Sequence, residues 1–121
     1  MCNSEFVHLH CHTHFSVQDA LAPPAKLIAA AKEQGFTSLA ITDHGKMGGH
    51  FEFAEAAKKS GIKPILGVEF YVAKDRFGRA EPGGGRPKLN HLTVLAMNQV
   101  GYRNLLSLGA EAAKPECYYY S

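Results

Sequence analysis

Four histidines occupy alternate positions in the segment FVHLHCHTHFS near the start of the chain: His8, His10, His12 and His14. Successive side chains of an extended segment point to opposite faces, which predicts all four imidazoles on one face and Cys11 on the other. Neutral imidazole is a common protein ligand of transition metals. A second cluster, ITDHG, contains Asp43 and His44. Metal chemistry is therefore the first hypothesis.

The composition indicates a small globular domain or part of a larger one, with 121 residues of which 45% are hydrophobic. A net charge of +2 is too small to indicate a nucleic-acid partner by itself. The three cysteines form no C-x-x-C pair, which favours reduced thiols over a disulfide framework. No secretion signal or membrane-spanning run is visible, so we expect a soluble, cytoplasmic chain with no membrane partner.

The order of apolar runs and turn residues predicts strands that alternate with helices. The predicted strands cover residues 6–10, 37–42, 64–72 and 91–96, and the predicted helices cover residues 23–34, 48–60 and 100–113. The second helix should bury Phe51, Ala54 and Ala57, and the third should pack through Tyr102, Leu105, Leu106 and Leu108. Residues 74–90, rich in glycine, should form a mobile loop. This alternation predicts an α/β fold with a parallel sheet.

Several reactive side chains lie at or just beyond the ends of predicted strands. They are His10 and His12, then Asp43 and His44, then Glu69. The carboxyl ends of parallel strands share one edge, where α/β folds bind ligands. Glu69 also interrupts the apolar run PILGVEFYV, and a carboxylate inside a protein must be paired or bound to metal. We therefore expect these side chains to form one site.

The motifs H-L-H-C-H-T-H-F-S-x-x-D, T-D-H-G and G-V-E resemble those of the PHP (polymerase and histidinol phosphatase) superfamily. The segments LAITDHGKMGGHFEFAEAAKKSGIKPILGVEFYVA and HLTVLAMNQVGYRNLLSL are similar to the amino-terminal PHP domain of bacterial DNA polymerase III alpha subunits. This resemblance implies the amino-terminal half of a distorted β/α barrel with two or three divalent metals. Ala20 stands where the family usually has glycine, and Lys46 where it usually has asparagine.

The family pattern implies particular roles for individual residues. It implies metal ligation by His10, His12, Asp19, His44, Glu69 and His91. Glu69 would bridge two metals, and catalysis would proceed through metals held by His10, His12 and Glu69. This mixture of imidazoles and carboxylates suits Zn²⁺ or Mn²⁺.

Other polar residues have less specific interpretations. His8 is better explained as a partner that orients a ligand, and His14 as an exposed side chain beyond a turn at Thr13. His50 is interpreted as a surface or packing residue. Asp43 could cap the following turn or orient His44, and we favour orientation over direct ligation.

Two main functions follow from the resemblance. The first is a metal-dependent phosphoesterase, a 3′–5′ proofreading exonuclease acting on the 3′ end of DNA within a replicative polymerase. The second is a non-catalytic module that stabilises the polymerase or docks another subunit. A histidinol-phosphatase-like enzyme for small phosphate esters is a further alternative.

The length predicts that residues 1–121 form a partial PHP domain, because a closed (β/α)₈ barrel needs about 250 residues. We expect little activity from such a fragment alone. Its partner would be the remainder of the polymerase chain or a complementary fragment.

Overall fold

A computed structural model describes residues 6–74, 77 and 89–117 of the chain. It contains three strands, β1 (Ser38–Ile41), β2 (Lys63–Val72) and β3 (Asn90–Leu95). Three helices, α1 (Pro24–Glu33), α2 (His50–Ser60) and α3 (Gln99–Ala112), accompany them, and a 3₁₀ turn spans Pro115–Cys117. None of the described helices is long and apolar enough to cross a membrane. The predicted α/β class is confirmed.

The two helices before β2 begin and end close to their predicted bounds. Pro24 stands at the first position of α1, where a backbone N–H would have no partner within the helix, so its absence in proline costs no hydrogen bond. Gly35 follows α1 with φ 81° and Gly61 follows α2 with φ 72°, a left-handed conformation that glycine adopts at little cost. These glycines reverse the chain so that it enters β1 and β2 respectively.

Strand β1 pairs with β2 in parallel through the α2 crossover, with Ser38 opposite Lys63 and Ile41 opposite Leu66. The helices cover this pair with a core of seven buried side chains: Ile28, Ala31, Leu39, Ile41, Phe53, Ala57 and Ile62. In α2 the prediction is confirmed for Ala57, which is fully buried, and wrong for Phe51, which is 80% exposed, and Phe53 is fully buried instead. In α3 only the Leu105 prediction holds clearly, since Leu106 and Leu108 are about half exposed.

Strand β3 pairs with β2 in antiparallel fashion, so the prediction of a wholly parallel sheet is wrong. A parallel return needs a crossover of a dozen or more residues, usually a helix. No helix separates β2 from β3 among the described residues. Gly67 permits the close pairing, because a Cβ there would lie 2.6 Å from Val94 O. The predicted mobile loop at residues 74–90 lies largely outside the described residues.

The segment of residues 6–10 is not a regular strand, contrary to prediction. It runs beside β1, where Ala40 N donates to His8 O at 3.0 Å and Thr42 N donates to Cys11 O at 2.9 Å. The segment therefore advances three residues, from His8 to Cys11, while the neighbouring chain advances two, from Ala40 to Thr42, and this extra residue breaks the regular strand alternation. As a result, the expectation that all four histidines share one face is also wrong.

Candidate metal centre

The carboxylate of Glu69 lies at the centre of the histidine cluster, with only 4% of its side chain exposed. His10 Nε2 lies 2.5 Å from Oε2, and His12 Nε2 lies 3.0 Å from the same oxygen. His44 Nδ1 lies 3.8 Å from Oε2, and His91 Nδ1 lies 2.5 Å from Oε1. Four imidazoles from three parts of the chain thus converge on one buried carboxylate.

The parallel pairing of β1 and β2 brings His44 beside Glu69. Beyond the end of β1, His44 forms a parallel bridge with Glu69, and Glu69 N donates to Asp43 O at 3.2 Å. Gly45 has φ 57°, which turns the chain so that its N–H donates to Glu69 O at 2.9 Å. The predicted edge of the sheet is therefore where these two side chains meet.

Asp19 reaches the same edge from the loop between the histidine segment and α1. Backbone hydrogen bonds from Asp19 N and Ala20 N to Ser16 O fold this loop into a turn. The half-exposed Asp19 carboxylate then forms a hydrogen bond with His44 Nε2. His44 consequently has Glu69 near its Nδ1 and Asp19 at its Nε2.

Three overlapping groups of side chains could each hold a metal ion. Within each group, the ligand atoms lie within 4.8 Å of one another. These groups, among the described residues, are His10–His12–Glu69, His12–Asp19–His44 and His44–Glu69–His91. They contain all six residues for which the family pattern implied ligation. Metal ligation itself stays a prediction.

The donor set fits a divalent transition metal. Imidazole nitrogen together with carboxylate oxygen suits Zn²⁺ or Mn²⁺. His44 Nδ1 is buried and has no hydrogen-bond partner, although its lone pair or proton needs one. A metal ion beside Glu69 would satisfy this nitrogen.

The protonation states also suit ligation. Burial lowers the pKa of His12, and the His44 imidazole lowers it further, which favours the neutral ring that binds metal. Burial alone would raise the pKa of Glu69, but hydrogen bonds with His10 and His91 outweigh it and hold the pKa below its ordinary value. The carboxylate therefore stays ionised and can offset the charge of a cation.

Asp43 is 1% exposed and does not join any of the three groups. Its carboxylate accepts hydrogen bonds from Thr13 N at 2.6 Å, Thr13 Oγ1 at 2.7 Å and Ser16 Oγ at 2.7 Å. This arrangement agrees with an orienting role, but the carboxylate acts on the histidine segment rather than directly on the His44 ring. Sequence reasoning missed Thr13 and Ser16, whose only signal was their position inside the H-x-H-T-H-F-S motif.

The remaining histidines lie apart from the cluster. The His8 ring packs edge-on against Phe36, with centroids 5.2 Å apart, and the partly buried His14 ring stacks on Phe15 at 4.6 Å. His50 is buried in α2, where Nε2 donates to Gly67 O at 3.0 Å, so it is a packing residue. Neither His8 nor His14 belongs to any of the three groups.

A cavity of about 360 Å³ opens beside Asp19 and His44. Lys46 and Tyr71 are among its lining residues, and Lys46 is exposed. The Tyr71 ring stacks on His44 with centroids 5.6 Å apart. Burial raises the pKa of Tyr71, and the charges of Glu69 and Asp19 raise it further, so its phenol stays protonated. Sequence reasoning did not assign Tyr71 a role.

Comparison with known sequences places these features in a family. The sequence model of the PHP domain matches residues 8–121. This chain belongs to the PHP domain family. It is 43% identical over 120 residues to DNA polymerase III subunit alpha of Treponema pallidum, and 38% identical over 122 residues to that of Mycobacterium tuberculosis. These alignments cover 98% and 91% of the chain, which spans about 10% of the length of each relative.

Solved structures agree with a PHP-type fold. A protein of Bifidobacterium adolescentis described as a metal-dependent phosphoesterase is 26% identical, with a TM-score of 0.58 over 88% of the chain. An amidohydrolase from Chromobacterium violaceum, solved with bound sulfate and no metal, is 29% identical with a TM-score of 0.59. The chain covers 32% and 34% of these two structures, which is consistent with part of a PHP barrel.

Proposed function

We propose that this PHP chain is part of a replicative DNA polymerase and that its cluster binds divalent metal and hydrolyses phosphodiesters. The observation that carries the proposal is the convergence of His10, His12, His44 and His91 on the buried Glu69 carboxylate. Similarity to DNA polymerase III alpha subunits supports the 3′ end of DNA as the substrate. The reaction would be 3′–5′ proofreading.

Each residue contributes through what it binds and orients. His10, His12, Asp19, His44, Glu69 and His91 would hold Zn²⁺ or Mn²⁺, and Glu69 belongs to two of the three groups. Bound metal would supply a hydroxide near neutral pH and neutralise charge on the phosphate. The ionised Glu69 would offset the charge of a bound metal, and the hydrogen bond with Asp19 orients the His44 ring. The cavity beside His44 gives a phosphoester a place next to these ligands, with the Lys46 ammonium at its wall.

A non-catalytic role is the second candidate, and one observation favours it. A cavity of about 550 Å³ between α2 and α3 has a mainly apolar wall, and its lining residues include Phe51, 80% exposed, and Met97, 96% exposed. Exposed apolar patches of this kind mark surfaces that contact other protein. The chain would then be a partial PHP domain that packs against the rest of the polymerase.

Hydrolysis of bis(p-nitrophenyl) phosphate, p-nitrophenyl phosphate and a 3′-labelled oligonucleotide, each with and without Mn²⁺, separates the candidates. We expect metal-dependent cleavage of the diester and of the DNA end when the chain is joined to, or mixed with, the remainder of the PHP domain, and we expect chelator and Glu69→Gln to stop it. Glu52→Gln, on the exposed face of α2, is the matched control. Preference for the monoester would favour the histidinol-phosphatase-like alternative, and bound metal without turnover would favour the docking module.

A further inference from the structure

We infer that Ser16 is a positioning residue: its hydroxyl keeps a hydrogen on His12 Nδ1 and thereby leaves the His12 Nε2 lone pair for the metal site. The inference deepens the proposed function, since it concerns a residue expected to hold the metal. It goes beyond that function because it assigns a role to a side chain outside the three ligand groups.

The Ser16 hydroxyl has three polar neighbours and can satisfy them in only one way. Asp43 Oδ1 lies 2.7 Å from Ser16 Oγ, His44 N lies 3.1 Å away and His12 Nδ1 lies 3.3 Å away. A hydroxyl has one hydrogen to donate and two lone pairs that accept. The His44 N–H can only donate, so it uses one lone pair. The single hydrogen must go either to Asp43 or to His12.

The surroundings of Asp43 decide where that hydrogen goes. Asp43 is 1% exposed, and an ionised carboxylate only accepts hydrogen bonds. Thr13 N donates to the same Oδ1 atom at 2.6 Å, and Thr13 Oγ1 donates to Oδ2 at 2.7 Å. If the Ser16 hydrogen turned to His12, two oxygen acceptors would face each other at 2.7 Å in a buried place. The Ser16 hydrogen therefore points to Asp43.

The remaining lone pair of Ser16 Oγ then faces His12 Nδ1. This pairing is favourable only if His12 Nδ1 carries a hydrogen and donates it. A neutral imidazole has one N–H, so Nε2 is left with a lone pair that points toward Glu69. His12 Nε2 lies 3.0 Å from Glu69 Oε2 without a hydrogen bond between them, whereas His10 and His91 form hydrogen bonds with the two Glu69 oxygens at 2.5 Å, so Glu69 does not hold the His12 hydrogen on Nε2. Partners of this kind set the tautomer and orientation of metal-binding histidines.

Nitrogen-15 NMR of the histidine rings tests this inference on the metal-free chain, because shifts of Nδ1 and Nε2 report which nitrogen is protonated. We expect Nδ1–H for His12 in the wild type. His50 is an internal reference for the opposite tautomer, since its Nε2 donates to Gly67 O. Ser16→Ala should move His12 toward Nε2–H, and Ser16→Thr, which keeps the hydroxyl, should restore the wild-type pattern.

Zinc titration gives the second readout. Ser16→Ala should weaken Zn²⁺ binding about 10- to 100-fold, the usual effect of removing a partner of a metal ligand, and Ser16→Thr should recover most of it. Nε2–H on wild-type His12 would overturn the inference even if Ser16→Ala does not fold. An unchanged His12 tautomer in folded Ser16→Ala would also overturn it. Absence of Zn²⁺ binding by a wild type that shows Nδ1–H would instead count against the proposed function alone.

Discussion

His91 Nδ1 lies 2.5 Å from Glu69 Oε1 across the antiparallel pairing of β3 with β2. Thr93 is directly opposite Glu69 and His91 is opposite Tyr71, so His91 and Glu69 are diagonal neighbours on one face of the sheet. Because β3 runs antiparallel, its first residues lie at the edge where β1 and β2 end. His91, near the start of β3, can therefore join Glu69 inside β2 and His44 beyond the end of β1.

Asp19→Ala should weaken one group of ligands and leave the others. Asp19 belongs only to the His12–Asp19–His44 group, whereas the two groups that contain Glu69 do not use it. We expect the number of bound Mn²⁺ or Zn²⁺ ions per chain to fall without reaching zero, as measured by elemental analysis after dialysis. Gln18→Ala is a control in the same loop and cavity wall. Complete loss of metal in Asp19→Ala would show that the groups do not act separately.

Lys46→Met should raise KM for a phosphodiester and leave kcat nearly unchanged. Lys46 lines the cavity beside His44 but belongs to none of the ligand groups. An exposed ion pair contributes about 0.2–1 kcal/mol, so we expect an increase of about 2- to 5-fold in KM. Steady-state kinetics at several salt concentrations should show the effect shrinking as salt screens the charge. Lys59→Met on α2 is the matched control, and an equal effect of both substitutions would contradict a local role for Lys46.

The sequence predicted the partners of the candidate site better than the path of the chain between them. Glu69 and His44 could be placed together because Glu69 lies near the end of one predicted strand and His44 just beyond the end of another, and parallel strands end at one edge. The direction of β3 depends on whether a helix intervenes after β2, and the local pattern of residues 91–96 carries no information about that.

Side-chain placement within elements was harder to predict. The extra residue that the histidine segment spans against β1 is set by pairing, not by its own alternation, so His8 packs on Phe36 while His10 reaches Glu69. In α2, Phe51 and Phe53 are equally apolar, and only the position of the sheet decides that Phe53 is buried. The Asp43–Ser16 hydrogen bond joins residues 27 positions apart, beyond any short motif.

Acid should destabilise the fold partly through His50. Burial lowers the pKa of His50 more than its hydrogen bond to Gly67 and the charge of Asp43 raise it, and its buried Nδ1 has no partner. The pKa of His50 in the folded chain is below its unfolded value of about 6.5. The stability that neutral His50 gives to the fold is therefore fully present above that pH. It is lost as the pH falls from there toward the folded pKa, since the unfolded chain binds the proton more readily.

The His50→Gln variant isolates this contribution, because the amide can still donate to Gly67 O but does not titrate. Urea unfolding in chelator between pH 7.5 and 5 should show a smaller loss of unfolding free energy in His50→Gln than in wild type. The ring of Tyr102, whose centroid lies 5.8 Å from that of His50, remains in both proteins. His14→Gln, a partly buried histidine stacked on Phe15, is the control. Identical pH slopes for wild type and His50→Gln would contradict the assignment.

The central claim is that this cluster, and not histidine content in general, binds metal. Elemental analysis of protein purified without an affinity tag, after incubation with Zn²⁺ or Mn²⁺ and dialysis, compares two double variants that each lose two histidines from the same segment. His10→Ala with His12→Ala removes imidazoles that contact Glu69, whereas His8→Ala with His14→Ala removes rings that pack on Phe36 and Phe15. The account predicts strong loss of metal in the first variant and near wild-type metal in the second. Equal metal content in the two variants would contradict it.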